Sequence, residues 1–409
     1  MKTAILSVGT EILFGQIVNT NTVYLSQQMN MLGFDVMYHY TVGDNPKRVE
    51  ETIDLAFQDC DLILTTGGLG PTQDDLTKEV TCKALDDTLV MMDDVLEEIT
   101  KYFKTLGREM TENNKKQAIM PSRATVFHND AGTAPGFALE KDGKYIICMP
   151  GPPREMKRMF QKSVVPFLQS MIDGALYYRQ IRFFGIGESM LETQLLDLID
   201  NQTDPTLATY AKEGECSLRI ASKRATEEEA EHAVDEMLEK VKERVGHYIY
   251  SCDDEELAQV VADRLMEQGL TLSSAESCTG GMFASTMTDI PGISQCFDRG
   301  LVTYSNQAKM EELGVSAETL EKFGAVSEET ALEMVEGLKR VSGSDVCISV
   351  TGIAGPGGGS EDKPVGLVYI GFAYGDKKIC KKIQMRNVNR SWNRHYTLLC
   401  MLNVIYRNI

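Results

Sequence analysis

The chain has 409 residues, with 41 Lys and Arg against 60 Asp and Glu, and so a formal net charge of −19. Its 43% hydrophobic and 25% charged residues are typical of folded globular proteins, and they exclude a disordered, collagen-like or coiled-coil chain. Such an acidic chain lacks the basic surface that sequence-independent binding to nucleic acid or to an anionic membrane requires. At roughly 150 residues per domain, the length predicts two or three domains.

The N-terminal residues and the cysteine pattern indicate the cellular compartment. Lys2 is followed by a short apolar run that ends at Gly9, which predicts a first strand and not a signal peptide. No run reaches the roughly 18 apolar residues of a membrane span. The ten cysteines contain no C-x-x-C and the five histidines no H-x-x-x-H, so we expect reduced core thiols and no zinc or histidine metal site. We expect a cytoplasmic protein.

Residues 1–170 alternate strand-like and helical patterns, which predicts βαβ units and a largely parallel sheet. The predicted strands cover 4–8, 34–39, 62–65, 125–127, 136–139 and 145–149. The predicted helices cover 21–32, 46–58 and a segment that begins at 75.

The rest of the chain divides into two further predicted domains. Residues 171–252 combine three strands with two helices, which indicates a small α+β module. Residues 253–409 return to α/β alternation, with a hairpin around Gly375 and a final helix from about Asn389. The predicted organisation is therefore two α/β domains joined by a small module.

Two loops follow predicted strands of the first domain at the sheet edge where open parallel sheets bind ligands. One loop contains Glu11. The other contains Asp74 and Asp75, together with three glycines that let the backbone approach an anion closely. These glycines are Gly67, Gly68 and Gly70. An N-cap explains one of the two aspartates, whereas both of them with Glu11 suit a hard cation. The residues alone leave these alternatives open.

The same loops, with segments 129–136 and 150–156, resemble the molybdopterin-binding fold of the MoaB/MogA type, in the form found at the N-terminus of the CinA family (competence/damage-inducible protein A). This resemblance implies metal-dependent hydrolysis of the pyrophosphate of ADP-ribose. It implies that Glu11, Asp74 and Asp75 hold Mg, Mn or Co, with K as a further ion. The glycine turn would receive the pyrophosphate.

A second constellation lies in the last domain. Ser277 follows a predicted strand and precedes a helix, and Lys309 lies in a later helix after Tyr304. A lysine whose pKa is depressed can activate a serine. The ordinary interpretations are an N-cap for Ser277 and a solvated lysine for Lys309. Cys278 is a rival nucleophile, for which a buried thiol is the expected role.

A glycine-rich loop at 351–359 follows a buried strand. It is neither G-x-G-x-x-G nor a Walker A sequence, so it is weak evidence for phosphate binding on its own.

Segments 274–281, 302–309, 351–356 and 363–366 together resemble the C-terminal CinA domain, the PncC-type deamidase of nicotinamide mononucleotide, which has a three-layer α/β fold. The resemblance implies that Ser277 is the nucleophile, Lys309 the proton acceptor and Tyr304 an orienting residue, with no cofactor. Backbone N–H groups near Gly280 and Gly281 would hold the oxyanion. The other implied substrate-binding residues are Thr279, Gly352, Gly355, Gly358, Arg390 and Arg394. The two arginines would hold the phosphate, and a surface-helix role is the alternative for each.

The middle module resembles the KH-like module of CinA, but Gly185–Glu188 does not match the G-x-x-G clamp of RNA-binding KH domains. We expect a spacer or homodimer contact there and no nucleic-acid binding. For the whole chain, a two-activity nucleotide hydrolase stands against a non-catalytic adaptor in competence or DNA-damage response. A molybdopterin-binding protein is a third hypothesis, which Asp74 and the fused amidase-like domain disfavour.

Overall fold

The computed structural model describes residues 1–171, 174–386 and 388–409, which form two compact units, Met1–Leu176 and Tyr177–Ile409. The predicted middle module begins at residue 171, so residues 172 and 173 of that prediction lie outside the described ones. In the described part of the chain, no helix is both long and apolar enough to cross a bilayer. The cysteines are all free thiols, as expected.

The first unit is built on a six-stranded sheet in the order β2-β1-β3-β8-β7-β6. Its strands, with a separate β4–β5 pair, are β1 Lys2–Val8, β2 Asp35–Val42, β3 Leu62–Thr66, β4 Leu89–Met91, β5 Ile119–Pro121, β6 Thr125–Phe127, β7 Gly136–Lys141 and β8 Lys144–Met149. Strands β2, β1, β3 and β8 are parallel, whereas β7 and β6 are antiparallel. The predicted, largely parallel sheet is thus confirmed.

Helices cover both faces of this sheet. They are α1 Thr10–Leu13, α2 Thr20–Met31, α3 Pro46–Asp59, α4 Thr77–Ala84, α5 Asp93–Thr105, α6 Pro153–Met159 and α7 Val165–Gln169. Strand β3 is buried along its whole length, because Ile63 joins one core and its neighbours Leu62 and Leu64 join the other. Helix α3 begins at Pro46 because Asn45 caps it by accepting the Arg48 N–H, and proline needs no N–H in the first turn.

The middle module has a four-stranded sheet in the order β10-β11-β9-β12. Its elements are β9 Ala175–Phe183, α8 Glu188–Asp200, β10 Thr206–Lys212, β11 Glu215–Arg224, α9 Glu227–Val245 and β12 Ile249–Ser251. The acidic helix α9 buries one apolar stripe, which includes Val234, Leu238 and Val241, and leaves its charges outside. The α+β class and the two helices agree with the sequence prediction, but the structure adds a fourth strand, β12, to the three predicted ones.

The last domain has a five-stranded sheet in the order β14-β13-β15-β16-β17. Its elements are α10 Leu257–Gln268, β13 Leu272–Glu276, α11 Met282–Thr288, β14 Phe297–Val302, α12 Asn306–Leu313, α13 Ala317–Phe323, α14 Glu328–Ser342, β15 Val346–Gly352, β16 Leu367–Tyr374, β17 Lys377–Gln384 and α15 Arg390–Tyr406. Alternate residues of β15 enter two cores: Ile348 faces the core of α10 and α15, and Cys347 faces that of α12 and α14. The fold is a three-layer α/β sandwich.

Candidate active sites

Ser277 and Lys309 meet at the end of β13, although 32 positions separate them in the sequence. Ser277 follows the last residue of the strand and anchors the corner by donating its N–H to Val350 O at 3.0 Å. Lys309 lies on α12, which Ser305 caps, and its Nζ is 3.1 Å from Ser277 Oγ. Both side chains are buried, with 8% and 1% of their surfaces exposed.

The surroundings of Lys309 determine what its amine can do. Its Nζ lies 2.9 Å from Thr303 O and 3.3 Å from Tyr304 O, besides the contact to Ser277 Oγ. Burial lowers the pKa of Lys309 below its usual value. A neutral amine has two N–H donors and one lone pair. In that neutral form, with both donors directed at the carbonyl oxygens, the lone pair would be left to accept the Ser277 hydroxyl proton.

The two ordinary interpretations of these residues are wrong in the structure. Gly281, and not Ser277, is the N-cap of α11, and Lys309 is buried instead of solvated. Cys278 beside the serine is a buried thiol, as expected, and burial raises its pKa to about 12. A thiol with that pKa is protonated near neutral pH, so Cys278 is a poor nucleophile.

Tyr304 stands at the rim of the site, with 60% of its surface exposed. Its hydroxyl accepts from Arg390 Nη2 at 3.0 Å, and Arg390 Nη1 donates to Gly355 O at 2.7 Å. Arg390 therefore ties the tyrosine to the glycine-rich loop. The hydrogen bond of the Tyr304 hydroxyl is to Arg390, so the side chain of Tyr304 orients the rim of the cavity, and only its backbone carbonyl contacts the Ser277–Lys309 pair.

Hydrogen bonds to a buried side chain stabilise the turn between Ser277 and α11. The buried carboxylate of Glu276 accepts the N–H groups of Gly281 and Phe283 at 3.0 Å and that of Ala284 at 2.9 Å. The Gly280 N–H donates to Ser277 O. The N–H groups of Gly280 and Gly281 are therefore not free to hold an oxyanion, and that role stays a prediction for the neighbouring N–H groups.

A cavity of about 190 Å³ opens above this site. Its lining includes Ser277, Lys309, Tyr304, Gly352 and Arg390. Pockets that enclose whole small-molecule ligands have about 300–1,000 Å³, so this cavity admits only one end of such a ligand and leaves the remainder over the rim.

The remaining predicted binding residues lie outside that lining. Arg394 donates through Nη2 to Thr279 O at 2.6 Å, so these two residues hold the turn together. Gly355 offers its carbonyl to Arg390, and Gly358 has a left-handed backbone in the loop beyond. A substrate contact for these four residues stays a prediction.

The first domain has a larger cavity, of about 580 Å³, at the carboxyl ends of β1, β3 and β8. Its lining includes every predicted site residue of this domain, namely Glu11, Gly67, Gly68, Gly70, Asp74 and Asp75. The parallel strands bring together loops that lie more than 50 residues apart in the sequence. This is the sheet edge at which open α/β sheets bind ligands.

The two aspartates are not helix caps, because Leu76 occupies the N-cap position of α4. Asp75 accepts the N–H of Thr72 at 2.9 Å and also its hydroxyl. Among the described residues, no three His, Cys, Asp or Glu side chains converge as a ready metal cluster. The donor chemistry nevertheless fits Mg²⁺, which one or two carboxylates commonly hold together with substrate phosphates and water.

Two of the glycines have a packing role. A Cβ on Gly67 would lie 2.0 Å from Val8 O, and one on Gly68 would lie 2.0 Å from Thr77 Oγ1. The Gly67 N–H donates to Met149 O at 3.1 Å. The Gly67 N–H is therefore not free to bind an anion, and the loop needs glycine so that the ends of β1 and β3 can approach.

Sequence reasoning missed three carboxylates. Asp44, which accepts the N–H and hydroxyl of Thr10, and Glu155 both line the larger cavity. Glu276 shapes the turn after Ser277. Asp44 had no sequence signal, and Glu155 reads as an ordinary acid in the first turn of a helix. Glu276, an acid before a Gly-Gly turn without another cap, could have been found.

Family models match three consecutive segments of the chain. They are a probable molybdopterin binding domain over residues 4–170, a damage-inducible protein CinA KH domain over 178–251 and a CinA C-terminal domain over 254–409. A putative competence-damage inducible protein of Caldicellulosiruptor saccharolyticus is 51% identical over 91% of each chain. One of Acetivibrio thermocellus is 45% identical over 100% of this chain and 99% of its own. The crystal structure of a competence/damage inducible protein from Agrobacterium tumefaciens matches with 42% identity and a TM-score of 0.36, over 37% of this chain and 92% of that one.

Proposed function

The chain belongs to the CinA family of competence-damage inducible proteins, and on that premise we propose that its last domain hydrolyses the amide of nicotinamide mononucleotide to nicotinate mononucleotide and ammonia. The observation that carries the proposal is the 3.1 Å approach of Lys309 Nζ to Ser277 Oγ inside a cavity. A buried amine beside a hydroxyl is the arrangement that nucleophilic catalysis requires when no imidazole is present.

In the proposed reaction, Ser277 Oγ bonds to the carboxamide carbon while its proton passes to the neutral Lys309 amine. The C–N bond then breaks, and the departing nitrogen takes that proton and leaves as ammonia. Water hydrolyses the resulting ester, with Lys309 again accepting the proton, and Ser277 is restored. The carbonyls of Thr303 and Tyr304 hold the amine in place through both steps.

Arg390 is the group best placed to receive the phosphate of the nucleotide. It lines the cavity beside the exposed Tyr304, while Arg394 is directed at Thr279 O. A guanidinium provides several N–H donors in a plane that matches phosphate oxygens. The phosphate role therefore goes to Arg390, and Arg394 stabilises the turn after Ser277.

The test is ammonia release from nicotinamide mononucleotide by the purified full chain. Replacing Ser277 with Ala should abolish release and leave the thermal unfolding midpoint nearly unchanged. Replacing the exposed Ser285 with Ala is the matched control and should leave release unchanged. Undiminished release by the Ser277 variant would exclude it as the nucleophile.

For the first domain, we propose metal-dependent cleavage of the pyrophosphate of ADP-ribose, with the ion held by Asp75 together with Glu11 or Asp74. A divalent ion there would polarise a phosphoryl oxygen. Replacing Asp75 with Ala should weaken ADP-ribose cleavage in Mg²⁺, Mn²⁺ or Co²⁺ and leave deamidation intact, because the residue lines a different cavity from Ser277. Parallel assays with and without K⁺ test the further ion. If the purified chain acts on neither substrate, the alternative of a non-catalytic adaptor is favoured.

A further inference from the structure

Glu155 on α6 lines the larger cavity and has no part in the proposal so far. Its carboxylate is half-buried, and Oε2 accepts from Asn129 Nδ2 at 2.7 Å. Burial raises the pKa of Glu155, the Asn129 hydrogen bond lowers it by less, and no cation of the described residues contributes. A carboxylate without a cationic partner is a stronger proton acceptor than one in an ion pair.

The loop opposite α6 is shaped around this carboxylate. Asn129 is fixed on both sides, because Nδ2 also donates to Ala134 O at 2.9 Å and Oδ1 accepts the Ala131 N–H at 3.0 Å. A Cβ on Gly132 would lie 2.0 Å from Glu155 Oε2, so the position needs glycine while the carboxylate stays in place.

An acid in the first turn of α6 has an ordinary explanation, since it complements the partial positive charge at the start of the helix. That explanation accounts for the position of Glu155 in the sequence. It does not account for the fixed Asn129 or for the glycine that makes room for a carboxylate at the cavity lining. A proton acceptor that must be held in one orientation requires both features.

We propose that Glu155 accepts the proton of the water that attacks the pyrophosphate in the larger cavity, and that Asn129 orients its carboxylate. The inference rests on the proposed hydrolysis of ADP-ribose at that cavity. The water oxygen bonds to one phosphorus, the bridging P–O bond breaks and the departing phosphate keeps the electron pair. The water proton moves to Glu155, and AMP and ribose 5-phosphate leave.

The experiment compares Glu155→Gln with Glu97→Gln, which removes the same charge from an exposed position on α5. With Mg²⁺ and ADP-ribose, we expect kcat of Glu155→Gln to fall about 10²–10⁴-fold, the usual contribution of a general base. The Glu97 variant should match the wild type. Equilibrium binding of ADP-ribose without metal should be unchanged or tighter in Glu155→Gln, because a negative charge leaves the cavity.

Gly132→Ala is the second variant. It should displace the carboxylate, lower kcat and add no further loss in a Glu155→Gln background, since the two changes act on one group. The inference is overturned if wild-type enzyme cleaves ADP-ribose while Glu155→Gln keeps its kcat, or loses ADP-ribose binding in step with its rate. A wild-type chain that cleaves no ADP-ribose with any of the three metals overturns the proposed function of this cavity, and this inference with it.

Discussion

Replacing Lys309 with Met tests the catalytic pair most directly, because methionine is unbranched like lysine but cannot accept a proton. Loss of a general base costs about 10²–10⁴ in rate, which is about 2.7–5.4 kcal/mol at 1.36 kcal/mol per tenfold. The structural cost falls on stability instead, and it is partly offset. The change leaves the carbonyls of Thr303 and Tyr304 without the amine, at about 1–3 kcal/mol for each buried group, and it removes the cost of burying that amine.

The assay pairs ammonia release from nicotinamide mononucleotide with thermal unfolding. We expect the Lys309 variant to remain folded and lose at least a hundredfold in kcat, the lower bound for a general base. Replacing Lys322, an exposed lysine of the same domain, with Met is the control and should leave both measurements unchanged. A Lys309 variant that keeps its rate within about tenfold would refute the lysine as proton acceptor.

The same pair predicts a pH dependence with a definite sign. Burial lowers the pKa of Lys309 from its ordinary value of 10.5, so kcat/KM should rise with pH through the depressed pKa as the amine becomes neutral. Between the depressed pKa and 10.5, the unfolded chain binds a proton that the folded chain does not. The free energy of unfolding should therefore rise with pH across that window, relative to the Lys309→Met variant. If the unfolding free energy of the Lys309→Met variant rises with pH as much as that of the wild type, Lys309 is not the group with the lowered pKa.

Three further predictions use other residues. Cys278→Ser should release ammonia at nearly the wild-type rate, because the buried thiol is not the nucleophile, and loss of activity with the fold intact would contradict this. Glu276→Gln should lower the free energy of unfolding by about 1–3 kcal/mol in denaturant titrations and also lower kcat, because an amide cannot accept three N–H groups. Gly68→Ala should lower the free energy of unfolding of the first unit more than Gly143→Ala does. Both glycines have a positive φ, but of the two only Gly68 has an atom, Thr77 Oγ1, where a Cβ would lie. Equal unfolding free energies of the two variants would refute the packing role.

The sheets could be predicted from the sequence because their signal is local. The alternation of Ile348 and Val350 with Cys347 and Ser349 marks a strand buried on both faces, and the turn at Gly375 marks the hairpin that follows. Periodicity and turn chemistry of this kind depend on neighbouring residues alone.

The burial and the hydrogen-bond partners of the site residues could not be predicted in the same way. Lys309 lies in a helix whose sequence suits a surface lysine, and only the packing of α12 against the end of β13 buries its amine. Likewise, the spacing of Asp74 and Asp75 suits a cap, whereas Asp75 instead accepts from Thr72. Exposure and hydrogen-bond partners are tertiary properties, and a single sequence specifies them only through the whole fold.

In the proposed function both cavities bind anionic substrates. The backbone N–H groups described near them, however, are hydrogen-bonded to other groups of the protein. The N-terminal N–H groups of α11 bind Glu276, and the Gly67 N–H binds Met149 O. In the proposed function, recognition of phosphate would therefore fall to Arg390 at the smaller cavity and to a divalent cation at the larger one. In a chain of net charge −19, such isolated positive groups act against a repulsive background. It follows that the guanidinium should decide phosphate binding at the smaller site and that a metal ion should strengthen it at the larger one, and that the glycine loops beside them should not compensate for the loss of either.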